Sequence, residues 1–374
     1  MTRCNPDNER IKRRYFRHLS EAEGLTEKTV DHARRTIVDY EQFTDWQDFR
    51  RFHSDTAIAF KKRLLTASGK RSAAVNQRST IHSKLLHLEK FFTWLAEQPG
   101  FRTAFSHVDA DYFKLPRRDR SIALDRQVKP APSVEQMHLV IGAMPALSDV
   151  ELRNRALVSC LLLTGARVGA VRSLKLKHVL RNKTGIHQDA REVRTKGAKT
   201  FPTYFFPVGG EARNVFLSYV DHLRLSLGWG EDDPLFPSTR QDVGDDHQFS
   251  VVGLERRHWK TADPVRAIFR AAFDVAGLPR YSPHSIRRTL VGLGQEVCRT
   301  PQEYKAWSQN LGHNEVLTTF ISYGGVSDLR QAEILNELGS RRPDIPADMM
   351  ELAARLIERL QKPNNQGVNE GSTS

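Results

Sequence analysis

Cysteine is scarce in this chain, and its three residues are not spaced as a metal or disulfide motif requires. Cys4, Cys160 and Cys298 are far apart among the 374 residues and form no C-x-x-C pair. A disulfide framework or a zinc ribbon needs several closely spaced cysteines, so the sequence argues against both classes. The pattern is typical of a protein from a reducing compartment.

Long apolar runs are missing as well. The longest, ALVSCLLLTG at 156–165, has about half the residues that a membrane-spanning helix needs. The first residues, MTRCNPDNERIKRRYF, contain no apolar core of the signal-peptide kind. We therefore expect a soluble, cytoplasmic protein with no membrane partner.

Positive charge, in contrast, is in excess. There are 57 lysines and arginines against 44 aspartates and glutamates, which gives a formal net charge of +13. Such an excess is typical of proteins that bind a polyanion, most often nucleic acid, although a soluble protein can also be basic without such a partner. Nucleic acid is thus the first partner that the composition indicates.

Apolar residues recur at three- and four-residue steps over most of the chain, which predicts a mainly helical fold. Ser133 and Gln136 have the spacing of a capping box, which predicts a helix start. The clearest apolar stripe, which ends before Pro99-Gly100, consists of Ile81, Leu85, Leu88, Phe92 and Leu95. Helices are expected at 27–40, 56–65, 74–98, from 133 onward, and at 150–163, 212–227, 264–276, 286–297, 302–311, 316–322 and 346–362.

Two stretches depart from the helical pattern. EVRTKGAKTFPTYFF, at 192–206, has β-prone runs on both sides of KGAK and predicts a hairpin. LPRRDRSIALDRQVKPAPS, at 115–133, has three prolines and five basic residues but no apolar stripe, which predicts a linker. Because the chain is too long for one ordinary core, we expect several parts. They are a helical domain at 1–112, a basic linker at 113–132, a second domain at 133–340, and an amphipathic helix with a disordered tail at 341–374.

No cofactor motif interrupts this pattern. The acidic segments EDDP and DVGDDH lack a regular ligand spacing and are expected to be solvated loops. The chain also contains neither a nucleotide-binding P-loop nor an HExxH zinc motif. We expect no metal and no cofactor.

Four separated segments carry residues suited to phosphodiester chemistry. They are TGARVGAV with Arg167, RTKGAKT with Lys196, PHSIRRT with His284 and Arg287, and LGHNEVLTTFISYG with His313 and Tyr323. Each residue has an ordinary alternative role, as a helix cap, a helix-end partner or a solvated turn residue. Together, two arginines can hold phosphate oxygens, while histidines and a lysine move protons. A tyrosine can act as the nucleophile and form a covalent intermediate.

In order and approximate spacing, these segments resemble the catalytic domain of the tyrosine recombinases, the phage-integrase family. TG-x-R resembles the first arginine box, KGAK the lysine turn, and H-x-x-R with the later LGH and tyrosine the second box. DPLFPS, at 233–238, also resembles the stretch between the lysine turn and the second box. The resemblance covers about residues 133–330, and the helical part at 1–112 is similar to the family's core-binding domain in position and size.

The resemblance implies a mainly α, α+β fold in two domains that clamp DNA. It further implies a site-specific recombinase that cuts and rejoins DNA through a 3′-phosphotyrosyl intermediate and a Holliday junction, as a homotetramer on double-stranded DNA. The implied catalytic residues are Arg167, Lys196, His284, Arg287, His313 and Tyr323, with Tyr323 as the nucleophile. The basic residues expected to contact DNA are Lys70, Arg71, Arg78, Arg117, Arg118, Lys199 and Arg288.

The sequence departs from the family pattern at three points. Ala170 stands where a supporting glutamate often follows the first arginine, and Tyr323 lies ten residues after His313 where nine is commoner. Lys199 competes with Lys196 for the role of catalytic lysine, and the first lysine of the turn is preferred. Two other functions remain open, a type IB topoisomerase and a non-catalytic DNA-binding protein that has kept the fold.

Overall fold

The computed structural model describes residues 4–67, 74–124, 130–243, 249–313 and 333. The chain divides into two compact units, Met1–Gln127 and Val128–Ser374. The described part of the first unit is helical, and that of the second adds two small antiparallel sheets. This confirms the expected mainly helical α+β fold. None of the helices described is long and apolar enough to cross a bilayer.

The first unit is built around an aromatic core. On its long helix, α4 (Ala74–Ala96), the predicted apolar stripe is confirmed, since all five of its residues are at most 4% exposed. Phe92 from this stripe stacks on Phe52, with ring centroids 4.2 Å apart, and also on Phe113. The helices of this unit are α1 (Pro6–Arg17), α2 (Glu27–Phe43), α3 (Ser54–Ala67), α4 (Ala74–Ala96) and α5 (Arg117–Leu124).

Helix α5 corrects one expectation. The segment at 115–133 was predicted to lack a helix, yet Arg117–Leu124 is helical and belongs to the first unit. Its contact with the core depends on a single buried side chain, Ala123, which is 6% exposed. Asp119 in its first turn also lies 3.7 Å from Arg78 on α4. One buried alanine produces no apolar stripe, so periodicity did not reveal the helix.

The described part of the second unit confirms the predicted helices to within a few residues, and the helix expected at 212–227 is an α-helix that continues as a π-helical turn, His222–Ser226. Its first helix begins with the expected capping box, in which the Gln136 N–H donates to Ser133 Oγ at 3.1 Å. The helices expected at 316–322 and 346–362 lie outside the described residues. The helices of this unit are α6 (Val134–Ala143), α7 (Asp149–Thr164), α8 (Val168–Val171), α9 (Ala212–Asp221), α10 (Asp263–Val275), α11 (Ser285–Val297) and α12 (Pro301–Asn310).

The predicted hairpin is present, but its first strand was misplaced. Strand β1 (Gly185–Gln188) pairs with β2 (Phe201–Tyr204), and EVRT belongs to the loop that joins them. Within this loop Val193 is buried in the core as an isolated anchor, at 1% exposure, and not as part of an alternating strand. An apolar residue that anchors a loop has the same local signal as one in a short strand, which explains the error.

A second hairpin was not predicted. It pairs β3 (Pro237–Val243) with β4 (Phe249–His258), and its register shifts at two places. Such irregularities disturb the two-residue alternation that identifies a strand in a sequence. The segment DVGDDH, expected to be a solvated loop, contributes its first two residues to β3, and the rest lies outside the described residues.

Helix α7 is the centre of the second unit. From Ala156 to Thr164 every residue is buried, so the helix is apolar on all sides, as expected of one surrounded by other elements. The segment that suggested an apolar run in the sequence is therefore a core helix. Its C-terminal end positions the first candidate arginine.

Candidate active site

Arg167 lies just after the C-terminal end of α7. Gly165 closes this helix in the left-handed conformation, with φ of 57°, and a Cβ there would lie 2.8 Å from Leu290 Cδ1. Glycine is therefore required, which explains the glycine of TG-x-R. Arg167 follows as the N-cap residue of α8 and is half-buried. Among the described residues, none forms a side-chain hydrogen bond or ion pair with it.

Arg287 holds the site together. Its side chain lies on the first turn of α11 and is 7% exposed. The guanidinium donates to the carbonyl oxygens of Gly165 at 2.6 Å and Leu311 at 2.5 Å, and to Nε2 of His313 at 2.8 Å. These bonds connect the end of α7, the start of α11 and the turn after α12.

His313 is placed by a turn that needs glycine. Gly312 has φ of 69°, and a Cβ there would lie 2.5 Å from Cζ of Phe201. Because a guanidinium can only donate, Nε2 of His313 must accept the bond from Arg287. The hydrogen of the neutral ring is then on Nδ1, which makes this atom a hydrogen-bond donor.

Positive charges dominate the electrostatics of the site. Burial, and after it the positive charges of Arg287, Arg167, Lys199 and His284, lowers the pKa of His313 to about 4. Burial, together with Arg167, lowers the pKa of Arg287 to about 9. No carboxylate within the described ranges forms an ion pair with either arginine. Clustered cations of this kind are stabilised by a bound anion.

His284 is exposed at the N-cap position of α11. Its side chain makes no capping hydrogen bond, so the alternative role of a helix cap is not supported. Its charge acts on His313, which puts it beside the two arginines. The structure therefore brings Arg167, His284, Arg287 and His313 together, and their catalytic roles stay predictions.

The two candidate lysines differ in their surroundings. Lys199 is half-buried, and its charge acts on His313. Lys196 is exposed and precedes the turn of Gly197 and Ala198, whose φ angles are 72° and 49°. Both lysines are carried by the loop between β1 and β2, so this loop contributes to the cationic site. The preference for Lys196 as the catalytic lysine stays a prediction.

The predicted nucleophile, Tyr323, lies outside the described residues. So do Lys70 and Arg71, two of the residues expected to contact DNA. Arg117 and Arg118 are exposed at the start of α5, where they are accessible to a ligand. These assignments stay predictions.

Two other residues expected to contact DNA have partners within the protein. Arg78 forms the ion pair with α5 described above. The guanidinium of Arg288 is half-buried and donates to the carbonyl oxygen of Pro130 at 2.8 Å. This bond ties α11 to the segment before α6, so the side chain has a structural role in the absence of DNA.

The partners that position Arg287 were not identified in the sequence. The carbonyl groups of Gly165 and Leu311 are backbone atoms, so only the glycines of TG-x-R and LGH signalled them. No group of three or more His, Cys, Asp or Glu side chains in the described ranges could hold a metal ion. The expectation of a metal-independent reaction stays a prediction.

Comparison with known proteins identifies similar chains. No family model matches this chain. It is 27% identical over 301 residues to tyrosine recombinase XerC of Halalkalibacterium halodurans, covering 78% of this chain and 87% of the relative. A lambda integrase dimer bound to a COC′ core site has a similar fold, with a TM-score of 0.58, 14% identity and coverage of 86% and 96%. A lambda integrase tetramer bound to a Holliday junction has a TM-score of 0.53, 18% identity and coverage of 87% and 83%.

Proposed function

We propose that this chain is a site-specific DNA recombinase of the tyrosine recombinase (phage integrase) family, whose members it resembles in sequence and fold. The observation that carries the proposal is the convergence of Arg167, Arg287 and His313, from distant parts of the chain, on one cationic site. The ligand that fits such a site is a phosphodiester of double-stranded DNA. The net charge of +13 favours the same partner.

In the proposed reaction the Tyr323 oxygen attacks the scissile phosphorus, and the bond from phosphorus to the 5′ oxygen breaks. The products are a 3′-phosphotyrosyl bond and a free 5′-hydroxyl. His284 accepts the phenolic proton, and Lys196 gives a proton to the leaving oxygen, so the protons balance. Attack by another 5′-hydroxyl on the phosphotyrosyl bond then rejoins the DNA, and no external energy source is consumed.

The arginines and His313 stabilise the transition state in this scheme. Arg167 offers forked N–H donors to the non-bridging oxygens, where negative charge develops, and Arg287 adds its positive charge and the N–H donors that its three internal bonds leave over. The low pKa of His313 keeps its ring neutral, so it donates through Nδ1–H and does not supply a proton. Because Arg287 is already held by Gly165 and Leu311, its charge is positioned before DNA binds.

Strand exchange would take two such rounds, through a Holliday junction held by four copies of the chain. The lambda integrase tetramer of similar fold is bound to a Holliday junction. We further propose that the protein acts in the cytoplasm, associated with the nucleoid, and serves a mobile genetic element. The chemistry needs neither a metal nor a nucleotide.

One experiment separates this function from its alternatives: sequencing the DNA that becomes covalently trapped on the protein in cells. A recombinase yields adducts at one recurrent sequence, and two DNA molecules that carry this sequence then exchange their flanks. Scattered adducts, with relaxation of supercoiled plasmid, would indicate a type IB topoisomerase. Absence of any adduct would indicate a non-catalytic DNA-binding protein.

The catalytic lysine can be assigned with a modified leaving group. Lys196→Ala is expected to slow cleavage by about a hundredfold or more, the usual contribution of a general acid. Sulfur in place of the bridging 5′ oxygen should restore the rate, because a thiol with a pKa of about 8.5 leaves without being protonated. Cleavage rates on both substrates provide the measurement.

Lys199→Ala is the matched control, since it removes the other lysine of the same loop. Its slowing should be smaller and equal on the oxygen and sulfur substrates, because Lys199 contributes only positive charge near His313. Rescue by sulfur for Lys199→Ala but not for Lys196→Ala would transfer the role to Lys199.

A further prediction concerns the C-terminal amphipathic helix, which lies outside the described residues. Its apolar stripe consists of Met349, Leu352, Leu356 and Leu360. A helix of this length is marginal in isolation, so the stripe must be buried, and we propose that it docks on the next copy in the assembly. Deleting residues 346–374 should leave a folded monomer that binds one half-site but neither assembles cooperatively on a full site nor recombines.

Gel shifts across a protein titration measure this cooperativity. Deletion of the tail alone, 363–374, is the control and should behave as the full chain does. If the helix instead covers its own domain, the larger deletion should lower thermal stability and impair half-site binding as well. Unchanged cooperativity on full sites would contradict docking on another copy.

A further inference from the structure

We propose that the hydroxyl of Ser173 is a positioning group for the proton-donating lysine. It would connect the helix that begins after Arg167 to the loop that carries Lys196 and Lys199. The inference rests on the proposed function, because it assigns a role in the protonation of the leaving oxygen. It is independent of which of the two lysines donates the proton, since the same loop carries both.

The hydroxyl bridges two elements. Ser173 lies two residues after α8 and is 9% exposed. Its Oγ accepts a hydrogen bond from the N–H of Arg194, at 2.9 Å, and donates towards the carbonyl of Ala170, also at 2.9 Å. Arg194 is two residues before Lys196. The hydroxyl of Ser173 therefore joins α8, which begins after Arg167, to residues 192–194, which lead into the turn with the lysines and are called the stem of the loop.

Close packing reinforces this junction. A Cβ at Gly169, in the middle of α8, would lie 3.3 Å from the carbonyl oxygen of Arg194. The preceding loop residue, Val193, is buried in the core at 1% exposure. The stem of the loop therefore lies directly on α8, and any displacement of its backbone at Arg194 moves the lysines relative to Arg167.

Ionic contacts hold the other side of the stem. Glu192 lies 2.8 Å from Nζ of Lys177 and 3.2 Å from Nε2 of His178. The pKa of its carboxyl is lowered, chiefly by the hydrogen bond from Lys177. Thr200 closes the loop by accepting the N–H of Ala190 at 2.9 Å. Glu192 and Thr200 thus hold the loop on the side away from α8, and Ser173 provides the buried hydrogen bond that fixes the stem to α8.

The test separates positioning of a proton donor from a general structural effect. Ser173→Ala, in the full chain, is expected to slow cleavage of an oxygen-bridged DNA substrate by about tenfold to a hundredfold, part of the contribution of a general acid. The 5′-sulfur substrate should return the rate to within a few-fold of wild type, because its thiolate leaves unprotonated. Melting temperatures establish that the variants are folded.

Ser159→Ala is the matched control. Ser159 is buried as well, and its hydroxyl donates to a carbonyl of its own helix, that of Arg155, at 3.0 Å. For this control, the ratio of the cleavage rate on the oxygen-bridged substrate to that on the 5′-sulfur substrate should equal the wild-type ratio. Gly169→Ala is a second test, because its methyl group displaces the same stem, and a smaller slowing with the same rescue is expected.

Equal slowing of Ser173→Ala on both substrates, or no slowing on either, would overturn the inference. If wild type cleaves and Lys196→Ala or Lys199→Ala is rescued by sulfur while Ser173→Ala is not, the inference alone fails. If wild type cleaves neither substrate, the proposed function fails and the inference falls with it.

Discussion

Replacing either arginine of the site by alanine is expected to slow DNA cleavage by a hundredfold to a thousandfold or more. Arg167 and Arg287 each supply charge-assisted donors to oxygens on which charge develops, and one such donor is worth about 2.7–4 kcal/mol of activation free energy. Single-turnover cleavage of a nicked full site measures the effect. Lysine at either position should recover only part of the rate, because an ammonium cannot reproduce the fixed array of N–H donors of a guanidinium.

The two alanine variants should differ in stability although they share the catalytic defect. Arg287→Ala leaves the buried carbonyls of Gly165 and Leu311 without their donor, at a cost of about 1–3 kcal/mol each, which relief of the desolvated charge offsets only in part. Arg167→Ala breaks no described hydrogen bond and removes a charge that repels Arg287. The free energy of unfolding should thus fall for Arg287→Ala alone.

Arg167→Ala is therefore the matched control that isolates catalysis from folding. Near-normal cleavage by both alanine variants would show that the arginines are structural. A large loss of stability in Arg167→Ala would show that its side chain has a partner beyond the described residues.

Tyr323→Phe is expected to abolish covalent attachment to DNA while leaving affinity for DNA within a few-fold of wild type. Only the nucleophilic oxygen is removed, and phosphate contacts elsewhere supply most of the binding free energy. A suicide substrate nicked near the cleavage point should trap wild type as a slowly migrating adduct and should not trap the variant. Gel shifts with the uncut site report affinity.

Tyr304→Phe is a suitable control for this variant. Tyr304 lies on α12 of the same unit, and its hydroxyl donates to the carbonyl of Gln295 at 3.2 Å. It should be trapped as wild type is. An adduct formed by Tyr323→Phe would mean that another residue is the nucleophile.

The fold was predictable from sequence wherever one physical signal dominated. The stripe on α4 and the capping box at Ser133 each correspond to an element that the structure confirms. Helix α5 and the pairing of β3 with β4 were missed, because one buried alanine and an irregular register leave no period in the sequence. The strand expected at EVRT was wrong because Val193 anchors a loop.

The candidate site was likewise predictable only in part. The side chains Arg167, His284, Arg287 and His313 were identified by type and order, and the structure brings them together. What holds them was not predictable, because the partners of Arg287 include backbone carbonyls that become neighbours only after folding. The junction between Ser173 and Arg194 was hidden for the same reason, since a lone serine six residues after Arg167 has no distinguishing pattern.

The most direct test of the central claim is to identify the amino acid and the DNA end that are joined in the trapped adduct. The DNA is trimmed with nucleases, the protein is digested, and the modified peptide is sequenced by mass spectrometry. We expect a nucleotide attached through its 3′ phosphate to Tyr323, with a 5′-hydroxyl on the released strand. Attachment to any other residue, linkage through a 5′ phosphate, or a complete lack of adduct would contradict the account.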